Sequence, residues 1–350
     1  MKRTSLIILI LLFAVTNIYA ISKVGTTAAP FLKIGVGSRA IGMGGAFVAV
    51  SNDVTAIYWN PAGIAALPGN EAILLHTEWL AEISYDYAAI AINMRNLGTI
   101  GVSLTSVSMG EMKVRTELQP EGTGEKFDAS DLAACLTFAR SLTDRFSIGI
   151  NFKYIRQNIW QMSASGFAID IGTLFTTQFN DMKIGMSISN FGTNMRMAGR
   201  NSKEYIDINP EAIGSNDQIP SYRQMDKWAL PITFRVGVAM DAIKENNNRL
   251  TIALDALHPN DNSESINLGF EYALYNLAFI RMGWQALFLP DNERGGFLGE
   301  DAGNGDAVPS NIGLGFIYSF NRALKIKLDY AYSDFGRLEN TQRFSIGIEF

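Results

Sequence analysis

"TQRFSIGIEF", Thr341 to Phe350, alternates without a slip. Phe344, Ile346, Ile348 and Phe350 fall on one face, with Ser345, Gly347 and Glu349 on the other. A period of two marks a strand, because an amphipathic helix repeats about every 3.6 residues. The pattern continues upstream. "ALKIKLDYAYSDF" (Ala323–Phe335) sets Leu324, Ile326, Leu328, Tyr330 and Tyr332 opposite Lys325, Lys327, Asp329 and Ser333. "NIGLGFIYSF" (Asn311–Phe320) aligns Ile312, Leu314, Phe316, Tyr318 and Phe320 against mostly small residues. "RFSIGINFKY" (Arg145–Tyr154) repeats the theme with Phe146, Ile148, Ile150, Phe152 and Tyr154.

Soluble sandwiches also alternate, so period alone does not place the strands in a membrane. Three features do. The strands run to ten residues or more, against about five or six in soluble sheets. Their second face carries Lys, Asp, Gly and Ser, which suits a wet or plugged lumen better than a dry core. The chain also stops on Phe350 at a strand end, which resembles the carboxy-terminal signal read by the outer-membrane barrel assembly machinery.

Strands read this way fall at 71–80, 85–94, 98–112, 126–142, 145–160, 165–177 and 182–193. They resume at 229–243, 249–259, 265–276, 277–288, 310–321, 323–335 and 341–350. The expected fold is therefore all-β, an antiparallel transmembrane barrel of about fourteen strands, even in number as single-chain bacterial barrels are. With the first strand running outward, the long connections Lys113–Glu125, Asn194–Trp228 and Leu289–Ser310 all lie outside. The connections Arg95–Leu97, Thr143–Asp144, Gln178–Asp181, Lys244–Asn248, Asn276 and Asn321–Arg322 then form short periplasmic turns. Trp79, Trp160, Trp228 and Trp284 fall at outer strand ends, where an aromatic girdle sits.

The amino terminus reads as an export signal. Lys2 and Arg3 precede an apolar run from Leu6 to Val15, and Ala20 ends a small-residue cleavage site. The expected organisation is a signal peptide over 1–20, a plug or hatch over 21–70 and the barrel over 71–350, in the outer membrane of a Gram-negative bacterium. Cys135 is the sole cysteine, which excludes an intrachain disulfide and a cysteine-based metal cluster. A formal charge of −5, more negative once Lys2 and Arg3 leave, argues against nucleic acid as a partner.

The glycine-rich stretch "GVGSRAIGMGGAFVAVSNDVTAIYWNPAG" (Gly35–Gly63) poses a separate question. Gly35, Gly37 and Ala40 satisfy a dinucleotide-binding pattern, with Asp53 placed for a ribose contact. That reading needs parallel βαβ units, whereas hairpins follow here. No Lys-Ser/Thr follows Gly42 as a phosphate-binding loop requires. The alternative is a compact plug whose glycines allow backbone to pass close to barrel walls. Pro61 pushes Asn60 towards an extended conformation, Asn60 can bond its own backbone two residues on, and Gly63 can close the turn.

This stretch, with the strand pattern and Phe350, resembles the PorV/PorQ family, a branch of the FadL-like outer-membrane barrels. The resemblance implies a hatch motif at Asn60, Pro61, Ala62 and Gly63, and a non-enzymatic role. PorV relatives serve type IX secretion, binding the carboxy-terminal signal of cargo and handing it to the attachment machinery. PorQ relatives bind a component of that machinery. FadL relatives move hydrophobic compounds through the barrel wall. The resemblance thus implies type IX components or secreted cargo as partners, with a hydrophobic ligand as the alternative and outer-membrane lipid around the barrel.

Candidate chemistry is sparse. His258 and Asp255 stand three apart on a strand, on opposite faces, and cannot pair directly. His76 lies mid-strand. The runs "HPNDNSES" and "GEDAGNGD" lack the twelve-residue calcium-loop spacing. No cofactor, metal or catalytic residue is expected. Lys153, Asp170, Lys325, Lys327 and Asp329 are expected to hydrogen-bond the hatch or lumen water. The long loop Asn194–Trp228 is the candidate partner-binding segment through Tyr205, Tyr222, Arg223 and Trp228.

Overall fold

The computed structural model describes residues 25–209, 211, 214, 218–245, 247–287, 310–321, 324–335 and 340–350. The expected signal peptide and the run "GEDAGNGD" lie outside the described residues. The wall begins with β1 (Glu71–Glu78), β2 (Ser84–Asn93), β3 (Thr99–Ser108), β4 (Ala129–Thr143), β5 (Phe146–Ile159), β6 (Met162–Thr176) and β7 (Lys183–Gly192). It continues with β8 (Thr233–Glu245), β9 (Asn248–Pro259), β10 (Ser265–Leu274), β11 (Ala278–Leu287), β12 (Asn311–Ser319), β13 (Lys325–Asp334) and β14 (Asn340–Glu349).

Each strand pairs antiparallel with the next, and β1 closes on β14 with Glu71 opposite Glu349 and Glu78 opposite Gln342. Closure leaves no unpaired strand edge facing hydrocarbon, where no water can satisfy it. Alternation decides what faces lipid. On β5, Ser147, Gly149, Asn151 and Lys153 are buried inward, whereas Ile148, Ile150, Phe152 and Tyr154 are exposed outward.

The expected strands and their grouping of long connections hold, with local differences. The connections 109–128, 193–232 and 288–310 join strand ends on one side of the barrel, opposite the short turns. Within the first of these, Met112–Lys113 pairs with Lys126–Phe127 as a small hairpin set off from β3 and β4. β8 begins at Thr233 rather than 229. Pro231 offers no N–H to a ladder, and the Ala229 carbonyl accepts from Ala28 N at 2.8 Å instead of from a neighbouring strand. Above the Ser189–Thr233 pair, the β7–β8 ladder stops until the isolated Met195–Trp228 bridge. Trp160 and Trp228 are exposed as a girdle requires. Trp79 instead turns inward, its ring 5.0 Å from the Arg343 guanidinium and edge-on to Phe335 at 5.2 Å.

Candidate functional site

The lumen is filled by the segment that runs from Gly25 to Asn70. Short turns of helix at Pro30–Lys33, Ser38–Gly42, Ala56–Trp59 and Pro61–Ala66 fold it on itself. Local chemistry explains the breaks. Asp53 Oδ1 accepts from Thr55 N at 2.9 Å and also from the Thr55 hydroxyl, setting up the turn before Ala56–Trp59. Asn60 is extended (φ −158°, ψ 101°) ahead of Pro61. Its Oδ1 accepts from Ala62 N at 3.2 Å, and Gly63 N donates to the Asn60 carbonyl at 2.9 Å. Asn60-Pro61-Ala62-Gly63 thus forms a tight bend.

Wall glycines make room for this segment. A methyl built on Gly149 would fall 2.3 Å from the Pro61 carbonyl carbon, and one on Gly172 2.1 Å from Asn60 Oδ1. Gly149 and Gly172 are register partners on β5 and β6, so together they form the recess for Asn60 and Pro61. Gly185 and Gly237, paired across β7 and β8, meet Val48 in the same way. Gly269 and Gly283, paired across β10 and β11, lie against Met43 and Gly44. The glycine-rich stretch and the wall glycines are two halves of one close-packed contact.

Directional bonds complete it. Asn60 Nδ2 donates to the Val48 and Thr173 carbonyls, each at 2.9 Å. Asp255 Oδ2 accepts from Phe47 N and Val48 N, both at 2.8 Å. Asn151 Nδ2 reaches the Ile57 carbonyl at 2.7 Å. Nearer the end that carries the long connections, Asp261 Oδ2 accepts from Lys33 Nζ at 2.6 Å and Thr27 Oγ1 at 2.7 Å.

An ionic lock lies towards the opposite end. Arg39 of the hatch donates through Nε and Nη2 to both oxygens of Glu271, at 2.7 and 2.8 Å. Glu271 also accepts from Arg281 at 2.8 Å and Arg249 at 3.1 Å, and Arg281 reaches Asp329 at 2.6 Å. Burial pulls the Arg39 pKa down, but Glu271 and then Asp53 outweigh it and hold the guanidinium above its ordinary range. The in-strand charges expected to bond the hatch or lumen water pair with other wall residues instead: Lys327 with Glu71 at 2.8 Å, Lys325 with Glu349 at 2.6 Å, Lys153 with Asp170 at 2.7 Å and Asp329 with Arg281 at 2.6 Å. A cavity of about 510 Å³ opens below this lock beside the Tyr275–Leu277 turn.

Sequence reasoning missed Arg39, Glu271, Arg281 and the glycine recesses. One signal was present, namely acidic or basic residues and glycines on the inward parity of strands such as "NLGFEYAL". Asp255 and His258 do not meet, as the parity requires: Asp255 binds the hatch, whereas His258 faces out and contacts Glu264 at 2.9 Å. His76 contacts its cross-strand neighbour Asp86 at 2.7 Å on the outer surface. Among the described residues no group of three or more His, Cys, Asp or Glu is placed to hold a metal ion.

The long connection after β7 carries its own hairpin, Lys203–Ile206 against Ile219–Tyr222. Tyr205, Ile206, Ile208, Tyr222 and Trp228 are all exposed there, and Arg223 pairs with Glu204 at 2.7 Å.

A hatch-filled barrel of this kind matches known proteins at two levels. The family model described as type IX secretion system protein PorV matches residues 19–258. The chain belongs to the PorV family. This barrel is therefore an outer-membrane component of the type IX secretion system of a Gram-negative bacterium. Solved structures agree on the fold. The toluene transporter TodX of Pseudomonas putida is 12% identical with a TM-score of 0.53, covering 90% of this chain and 96% of that one. The TodX deltaS2S3 mutant, a monoaromatic hydrocarbon channel, gives 11% identity and 0.52 over 90% and 97%. A FadL homologue of Pseudomonas aeruginosa gives 10% and 0.49 over 90% and 98%. No curated protein sequence matches the chain. At these identities the PorV-family chain shares a fold with TodX, and the likeness extends no further.

Proposed function

We propose that this PorV-family barrel is a docking protein at the cell surface rather than a conduit. Residues 21–70 act as a fixed plug, residues 71–350 as the barrel that anchors it, and residues 1–20 as a cleaved export signal. The outer loop around Tyr205, Tyr222, Arg223 and Trp228 binds secreted cargo or another type IX component. Phe350 serves as the barrel assembly signal.

The observation that carries this reading is the fit of hatch to wall. Glycine recesses and the Arg39–Glu271 lock pin the plug at several levels of the lumen, while the loop hairpin leaves its aromatic residues exposed. Aromatic side chains offer large contact area at low entropic cost, as partner-binding surfaces require. Deleting the gene traps cargo in the periplasm under this reading; normal cargo secretion in the deletion strain rejects it. The role requires no catalytic group of the barrel.

A second reading, a transporter of hydrophobic compounds, draws support from the interrupted β7–β8 ladder between Ser189 and Met195. Under it, deletion spares secretion and slows uptake of an apolar substrate.

A further inference from the structure

Arg343 is 2% exposed on the lumen face of β14. Among the described residues no carboxylate forms an ion pair with it. Its Nη1 donates to the Gly35 carbonyl, Trp79 covers the guanidinium, and its Nε has no hydrogen-bond partner. Arg39, Arg281 and Lys327 each face a carboxylate directly. The buried Arg235, which forms no ion pair among the described residues, lies over the Tyr58 and Trp59 rings and donates to Ser189 Oγ at 3.2 Å. A buried guanidinium without a counter-charge is costly unless something polar reaches it.

The neighbours of Arg343 share the deficit. Thr77 stands opposite Arg343 in the β1–β14 register. Ser333 stands opposite both Thr341 and Asn311. Residues directly opposite on one face have side-chain roots about 5 Å apart, so these groups line one patch of wall. Thr77 Oγ1, Ser333 Oγ, Thr341 Oγ1, Ser345 Oγ and Asn311 Oδ1 are all buried without a partner. Five of the thirteen such side-chain atoms among the described residues thus lie on the strands around this one guanidinium. The patch lies at the strand ends beside the long connections, with the Trp79 ring against the guanidinium. Donors outnumber acceptors in it. The guanidinium and four hydroxyls can donate, against the single acceptor Asn311 Oδ1, and an anionic acceptor with two oxygens suits the surplus.

We propose that this patch binds a carboxylate, with Arg343 Nε and the hydroxyls of Thr77, Ser333 and Thr341 as donors. The carboxylate of a small organic acid and the carboxy-terminal carboxylate of a polypeptide share this chemistry. Binding supplies an acceptor to Arg343 Nε and the hydroxyls nearest it, and places a ligand on the outer side of the hatch, where Gly35 couples it to the plug.

The test uses the full chain in a non-ionic detergent with four probes: 4-bromobenzoate, 4-bromobenzamide, N-acetyl-tetraalanine and its carboxamide. The expected result is saturable binding of an acid, at least about tenfold weaker binding of its amide, and bromine anomalous density beside Arg343. Arg343→Gln should weaken acid binding by about tenfold or more. Ser333→Ala combined with Thr341→Ala removes two donors while sparing Arg343, and should weaken it roughly fivefold. That double variant decides the matter if Arg343→Gln fails to fold. Whichever acid binds tighter identifies the source. Equal binding of acid and amide, ordered water alone at Arg343, or affinity unchanged in a folded variant overturns the proposal.

Discussion

Gly149→Ala probes the fit of the plug most directly. The added methyl would sit 2.3 Å from the Pro61 carbonyl carbon and 2.5 Å from Ala62 N, where ordinary contacts begin at 3.4 Å. Both obstacles are backbone, so no side chain can swing aside, and the hatch must retreat by about 1 Å. Overpacking of this kind costs about 1–3 kcal/mol. The retreat also strains the Asn60 bond to the Thr173 carbonyl and the Asn151 bond to the Ile57 carbonyl, each worth about 1 kcal/mol. Together the hatch–wall contact should lose about 3–5 kcal/mol, while the β5 ladder, whose bonds lie in the plane of the sheet, stays intact. Gly347→Ala is the matched control, because its methyl meets nothing nearer than Lys327 Cβ at 3.4 Å. Two measurements read the effect: protease cleavage within residues 25–70 of the folded barrel, and ion conductance in a planar bilayer. Gly149→Ala should raise both and Gly347→Ala neither. If the two variants behave alike, the glycine recess is not what seats the hatch.

Other substitutions test separate parts. Glu271→Gln leaves Arg39, Arg281 and Arg249 around a neutral group and should destabilise the plugged barrel by about 3–5 kcal/mol, read by the temperature at which its unboiled gel band shifts. Asn60→Asp turns a double donor into an anion facing the Val48 and Thr173 carbonyls; cleavage of the hatch should increase, and an unchanged digest refutes the role of the amide. Tyr205→Ala with Tyr222→Ala should reduce cargo secretion while leaving the gel shift untouched, since both side chains are exposed. Cys135, buried at the lumen wall, should react with a maleimide only after denaturation; labelling of the native barrel would contradict the packing around it.

The strands were legible from end to end because each one states its two faces within ten residues. The parity read from Phe344, Ile346 and Ile348 is the parity found, and the grouping of long connections follows from the strand count. The departures have local causes. Pro231 and the inward Ala229 carbonyl shorten β8, and Trp79 leaves the girdle because Arg343 offers its ring a cation.

By itself the sequence determined the strands, their inward and outward faces and the bend at Asn60–Pro61, all of which rest on near neighbours in the chain, whereas closure pairs Glu71 with Glu349. Only the tertiary structure decided what the inward face is for. Gly149 meets Pro61, Arg39 meets Glu271 and Arg343 meets Gly35 across long stretches of chain. Periodicity marks such residues as lumenal but carries no record of which of them the closed cylinder brings together, or of which it leaves without a partner.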